Sequence, residues 1–194
     1  MVQPDKSDLQ KYLGSYFGIM QDNLQKVADL FQEEYLSKGE YLLRKDQFCD
    51  KLSFVQSGFI RIYAHHENKE ITQWISTAGY FLTDLYSFIF DQRARWNIQA
   101  LTDSTLYTIR KRDYRELKSI VPNWHEMENK FISGCFIILE DRVFSHLSLS
   151  AEERYEKLLS ENKELLQNVP MQYLASMLGM TPETFSRVRR KTIS

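Results

Sequence analysis

Hydrophobic periodicity changes once along this chain, near Arg110, and that change divides it into a β part and a helical part. Between Gly39 and Arg110 the chain is cut into short segments rich in β-branched and aromatic residues: 39–44, 51–58, 59–64, 70–76, 96–101 and 104–110. Turn-forming groups separate them, among them Lys38-Gly39, Asp46, Ser57-Gly58, His66-Glu67-Asn68, Ala78-Gly79 and Thr102-Asp103. Spacing this close leaves no room for the helices that parallel strands need between them, so an antiparallel β-roll or jelly roll is predicted. Before it, apolar residues from Leu9 to Phe31 recur at helical spacing on either side of a break near Gly18 to Asp22, which predicts two short helices.

After Arg110 the helical period persists. A short helix is expected over 113–120, and after Pro122 a proline-free stretch over 123–147 predicts a helix of about 37 Å at ~1.5 Å per residue. Its middle (Phe131, Ile132, Cys135, Phe136, Ile137, Ile138, Leu139) is apolar nearly all the way round, which implies burial on two sides. One side can lie on the β-roll; the other needs a second subunit. The expected dimer interface is Phe131, Cys135 and Ile138, in a homodimer. Ser150 and Glu153 have the form of a capping box, which starts a new helix and puts a boundary near residue 149. The predicted class is α+β. An N-terminal β-roll with flanking helices spans 1–121, a long connecting and dimerisation helix 122–149, and an all-α unit 150–194.

Charge and cysteine content limit the function classes. Lys plus Arg (25) nearly cancels Asp plus Glu (26), so a nucleic-acid site has to be a local patch. Cys49 and Cys135 stand far apart, without a CxxC or paired histidines, and are expected to be buried thiols rather than zinc ligands or a disulfide. His65 and His66 lie at a hairpin turn with no nucleophile placed beside them by any motif, and His125 and His146 are too far apart to share a metal, so no enzyme is expected. The opening MVQPDKSD is polar where a signal peptide needs an apolar core, and the longest apolar run, Cys135 to Leu139, is too short to span a bilayer. A cytoplasmic protein without a membrane partner is expected.

The segment 170–191, PMQYLASMLGMTPETFSRVRRK, meets the requirements of a helix-turn-helix together. Apolar residues fall at Leu174, Leu178, Met180, Phe185 and Val188; Ala175 sits where two helices cross closely, and Gly179 occupies a turn that needs positive φ. Thr181 can cap the second helix and Pro182 suits its first turn. With Phe185 and Val188 turned inward, Glu183, Arg187 and Arg190 share a stripe, flanked by Thr184, Ser186 and Lys191. Arginine can grip guanine O6 and N7, glutamate can accept from cytosine N4, and the hydroxyls and lysine can hold phosphates. From Thr181 to Ser194 four cations face one anion, a local +3 in a chain of net −1. These six residues are the expected double-stranded DNA contacts.

The order of parts resembles the Crp/Fnr family of bacterial transcription regulators. The most specific portions are 150–159, SAEERYEKLL, and 173–191, similar to the family's DNA-binding domains, and 55–63, VQSGFIRIY, similar to the hairpin of its sensor domains. The resemblance implies a homodimeric regulator in which Glu183 and Arg187 read bases and Thr184 touches phosphate, with RNA polymerase a candidate partner. Pro182 departs from the family pattern, standing where the catabolite activator has a base-contacting arginine, so the operator need not be shared. The cyclic-nucleotide pocket implied by the family is altered here. Over 79–101, Thr83 and Asp84 replace the Gly-Glu pair that meets phosphate and ribose, and Ala94 stands at the arginine position. Arg93 and Arg95 flank it, but strand neighbours point to opposite faces. Thr83, Asp84, Arg93 and Arg95 are the expected pocket residues. No cofactor is expected; a small-molecule effector in the β-roll is left open, and cyclic AMP is not expected to be it.

Overall fold

The computed structural model describes residues 6–193; residues 1–5, which hold most of the polar opening, and Ser194 lie outside the described residues. The chain opens with α1 (Ser7–Tyr12), continued by a π-helical turn over Leu13–Phe17, and α2 (Gln21–Asp29). Eight strands follow: β1 (Gln32–Leu36), β2 (Tyr41–Leu43), β3 (Lys51–Ser57), β4 (Ile60–His66), β5 (Lys69–Ser76), β6 (Phe81–Leu82), β7 (Asn97–Ala100) and β8 (Ser104–Arg110), with α3 (Leu85–Phe90) between β6 and β7. Six helices complete the chain: α4 (Lys111–Ile120), α5 (Trp124–Ser148), α6 (Ala151–Glu161), α7 (Lys163–Asn168), α8 (Met171–Met177) and α9 (Pro182–Ile193).

The strands pair antiparallel in two sheets, β1-β8-β3-β6 and β2-β7-β4-β5, which gives the expected α+β class and β-roll. Each of the predicted segments contains a strand. β1 escapes the pattern because Gln32-Glu33-Glu34 reads as polar; it is an edge strand paired only with β8, and of its residues only Leu36 is buried. β6, α3 and α7 are too short to display a period. Gly58, at φ 94°, links β3 to β4 where any Cβ would come within 2.1 Å of Ser104 Oγ, so the turn accepts only glycine.

Between the sheets lie Leu36, Leu43, Val55, Ile60, Ile98 and Leu106. A second cluster joins the outer face of the first sheet, through Leu52, Phe54, Tyr107 and Ile109, to Leu13 and Phe17 of the N-terminal helices and Trp124 of α5. Phe131 belongs to this cluster: its ring stacks on Phe17 at 4.1 Å and meets Phe81 edge-on at 5.7 Å. The expected interface is corrected at Phe131 alone. Phe131 is spent inside its own chain, whereas Cys135 is exposed and Ile138 is 47% exposed. A neighbouring face of the helix leaves Ile132, Phe136, Leu139, Val143 and Leu147 exposed by 39%, 59%, 46%, 51% and 82%. A helix that is apolar all round does not say which face its own domain takes. The expectation for the cysteines is corrected by half, since Cys49 is buried but Cys135 is exposed.

The capping box forms as predicted: Ser150 Oγ accepts from the Glu153 N–H at 3.3 Å while Glu153 Oε2 accepts from the Ser150 N–H at 2.7 Å. A third cluster, including Tyr155, Leu165, Leu174, Ala175, Phe185 and Val188, extends to Ile75 and Leu101 of the β-roll. α8 sits on the outside of the second sheet. There the Thr72 N–H donates to Ser176 Oγ at 2.9 Å, and the fully buried Arg61 lies 4.1 Å from the ring centroid of Tyr63 and 3.8 Å from that of Tyr173.

Candidate nucleic-acid interface

α8 begins at Met171, within the predicted segment, and Gly179 turns the chain after it at φ 66°. Pro182 opens α9 as expected, where Thr181 Oγ1 accepts the Thr184 N–H at 3.2 Å. Leu174, Ala175, Phe185 and Val188 are buried, and the Tyr155 ring meets Phe185 edge-on at 5.3 Å. This packing fixes the rotation of α9 about its axis. Glu183, Arg187, Arg190 and Lys191 are exposed, with Thr184 and Ser186 half-buried beside them, so the structure brings all six expected contact residues onto one helix.

Their charges are not equally available. Lys191 Nζ donates to both carboxylate oxygens of Glu152, each at 2.8 Å. Arg187 forms no ion pair among the described residues. The backbone N–H of Glu183 and the Thr181 hydroxyl hold the Glu183 carboxyl below the ordinary range, so it is an anion at neutral pH. Glu152 has no signal in the sequence, because it lies on α6, far along the chain from Lys191.

The expected ligand-pocket residues each have partners within the chain. Asp84 is 1% exposed and fully engaged: Oδ1 accepts the Ser87 N–H at 2.9 Å, capping α3, and Oδ2 accepts from the Arg95 and Trp96 N–H groups at 2.8 and 3.3 Å. Thr83 Oγ1 donates to the Lys51 carbonyl at 2.7 Å. Ala94 points into the core, so its neighbours point out. Arg93 donates to the Asp46 carbonyl at 2.7 Å, and Arg95 lies 4.9 Å from the ring centroid of Tyr86. A cavity of about 200 Å³ does reach Thr83. Its one cation, Lys51, is paired with Glu34, so it holds no free charge for a phosphate. Among the described residues no group of His, Cys, Asp and Glu could hold a metal ion, and no helix is long and apolar enough to cross a membrane.

Residues 33–119 match the family model of the cyclic nucleotide-binding domain. No curated protein sequence matches the chain. Among solved structures, the catabolite activator protein of Thermus thermophilus is similar at 19% identity and a TM-score of 0.57, over 91% of this chain and 84% of that one. CLP, the c-di-GMP responsive global regulator of Xanthomonas campestris, gives 16% identity and a TM-score of 0.68 over 89% and 91%. FixK2 of Bradyrhizobium japonicum gives 16% and 0.69 over 83% of each chain. At these identities the likeness is one of fold. The chain has the Crp/Fnr-like fold, with a cyclic nucleotide-binding-type β-roll, a long helix and C-terminal helices.

Proposed function

We propose that the protein is a homodimeric, sequence-specific regulator of transcription that binds double-stranded DNA through α9 and does not respond to cyclic AMP. In this reading 1–121 is the sensor unit, 122–149 the dimerisation helix and 150–194 a helix-turn-helix DNA-binding unit, in a cytoplasmic protein with RNA polymerase as a candidate further partner. One observation carries it: α9 buries Phe185 and Val188 while exposing Glu183 and Arg187 on its first two turns. A surface helix with no task needs no such pairing of a base-reading fork and an acceptor on a helix braced by its neighbour. The regulators with this fold lend it support.

Dimerisation follows from α5. Ile132, Phe136, Leu139, Val143 and Leu147 recur at three- and four-residue steps, the seam of a two-helix contact, and exposed apolar area of this kind is costly in water. A second copy of the same helix is the partner that a two-fold axis supplies, and it would present two α9 helices about 34 Å apart, to successive major grooves. Selection of bound sequences from a random duplex pool, followed by anisotropy titration at several salt concentrations, tests the reading. A near-palindromic consensus is expected; salt-dependent binding without any sequence preference refutes it.

A further inference from the structure

A cavity of about 270 Å³ lies where the β-roll, α5 and the C-terminal helices meet. Trp74 of β5, Ile138 of α5 and Leu158 of α6 give it apolar walls, and Arg142, Arg154 and Lys157 line it from α5 and α6. The two arginines have no carboxylate partner among the described residues. Arg142 is largely removed from water and donates only to backbone carbonyls, those of Gln73 and of Met177, the latter at 3.1 Å. Arg154 donates to the Leu149 carbonyl at 2.6 Å, and its Nε is buried with no hydrogen-bond partner. The acidic lining residues, Asp141 and Glu161, are exposed, and Glu161 faces Lys157 at 4.0 Å.

Guanidinium is the side chain best matched to a carboxylate, and Arg154 and Arg142 both line the cavity without one. Aromatic and aliphatic walls beside it suit an apolar body. We propose that this cavity binds a small organic carboxylate, its anion held by Arg154 and Arg142 and its aromatic or branched body lying against Trp74, Ile138 and Leu158. Because its walls come from the β-roll, the long helix and α6, occupancy depends on how these sit together. A role as the effector of DNA binding rests on the function proposed above; binding itself does not.

The probe is naphthalene-2-carboxylate, titrated calorimetrically into the full chain without DNA, with neutral 2-naphthamide as the comparison. Saturation at one probe per chain is expected, with a dissociation constant below about 100 μM and the amide weaker by about tenfold or more. Arg154→Met, checked for an unchanged melting temperature, is expected to lose the preference for the acid. Ile138→Trp, which fills the cavity and removes no charge, is expected to abolish binding. No heat up to about 1 mM, equal binding of acid and amide, or undiminished binding by both variants overturns the site. Repeating the DNA titration with saturating probe reads the regulatory part: a change in DNA affinity of about threefold or more supports it, and no change overturns it. If the chain binds no DNA yet still titrates the acid, the proposed function falls and the carboxylate site stands.

Discussion

The guanidinium carbon of Arg61, on β4, lies 3.8 Å from the ring centroid of Tyr173, on α8, so a buried cation of the β-roll is covered by an aromatic ring of the C-terminal helices. Glu70 and Thr72 fix it from the adjacent strand, through Arg61 NH1 to Glu70 Oε2 at 2.6 Å and Arg61 Nε to Thr72 Oγ1 at 3.0 Å. Burial of this charge is possible only while α8 stays in place.

Removing either partner should therefore loosen the same contact. In a double-mutant cycle with Arg61→Met and Tyr173→Leu, urea unfolding should give a coupling energy of about 1–2 kcal/mol. Arg61→Lys should fail to restore it, because lysine lacks the planar face that lies on the ring. A coupling energy near zero would mean that the contact holds nothing together.

Arg187 and Lys191 should behave differently on DNA. Arg187→Ala should cost about 1–3 kcal/mol and relax preference at one base pair per half-site, whereas Lys191→Ala should weaken all sequences alike and flatten the salt slope by about one unit. Since Glu152 holds Lys191 at 2.8 Å, Glu152→Gln should tighten binding to any duplex. Equal, sequence-independent losses from both alanine variants would remove Arg187 as a reader.

The dimer should depend on the outward face of α5. Sedimentation equilibrium at micromolar concentration should report a dimer, and Phe136→Asp with Leu139→Asp a folded monomer. Phe131→Asp should instead lower stability by about 3–5 kcal/mol, since it unstacks Phe17 within one chain. A dimer undisturbed by the first pair would place the interface elsewhere.

Calorimetry with cyclic AMP or cyclic GMP should show no binding tighter than about 100 μM, roughly −5.5 kcal/mol. Asp84→Ala should act on stability rather than on nucleotide affinity, costing about 2 kcal/mol or more through the three N–H groups it leaves without an acceptor. Micromolar nucleotide binding that vanishes in Arg93→Ala or Arg95→Ala would show that an arginine enters the roll after all.

Acid should weaken the start of α6. Hydrogen bonds from the Ser150 backbone and hydroxyl hold the Glu153 carboxyl below its ordinary value of 4.5. A pKa depressed by folding means that the stabilisation is present above that value and is lost as pH falls through the lower, folded one. Amide-exchange protection in the first turn of α6, taken relative to the intrinsic exchange rate at each pH, should therefore fall below about pH 4.5, and Glu153→Gln should remove that fall. Protection that falls equally in the variant would assign the effect to another group.

Local signals were enough for most of the elements and for α9, the helix proposed to contact DNA. Strand alternation, the capping box, and the Ala175, Gly179 and Pro182 of the turn act over a few residues, so the sequence carries them whole. The rotation of α9 could be read because its apolar residues occupy one side. Where that condition fails, only packing decides. The middle of α5 is apolar all round, so the capture of Phe131 by Phe17 and the release of Phe136 to solvent depend on which face the N-terminal helices cover. By the family resemblance Asp84 stands at a ligand-binding position, yet the Ser87, Arg95 and Trp96 amides claim both its oxygens once β7 folds back beside α3. Arg61 reads as an ordinary exposed strand residue until Tyr173, far along the chain, covers it. Short-range order is written residue by residue, whereas which side of an element is buried is a property of everything that packs on it.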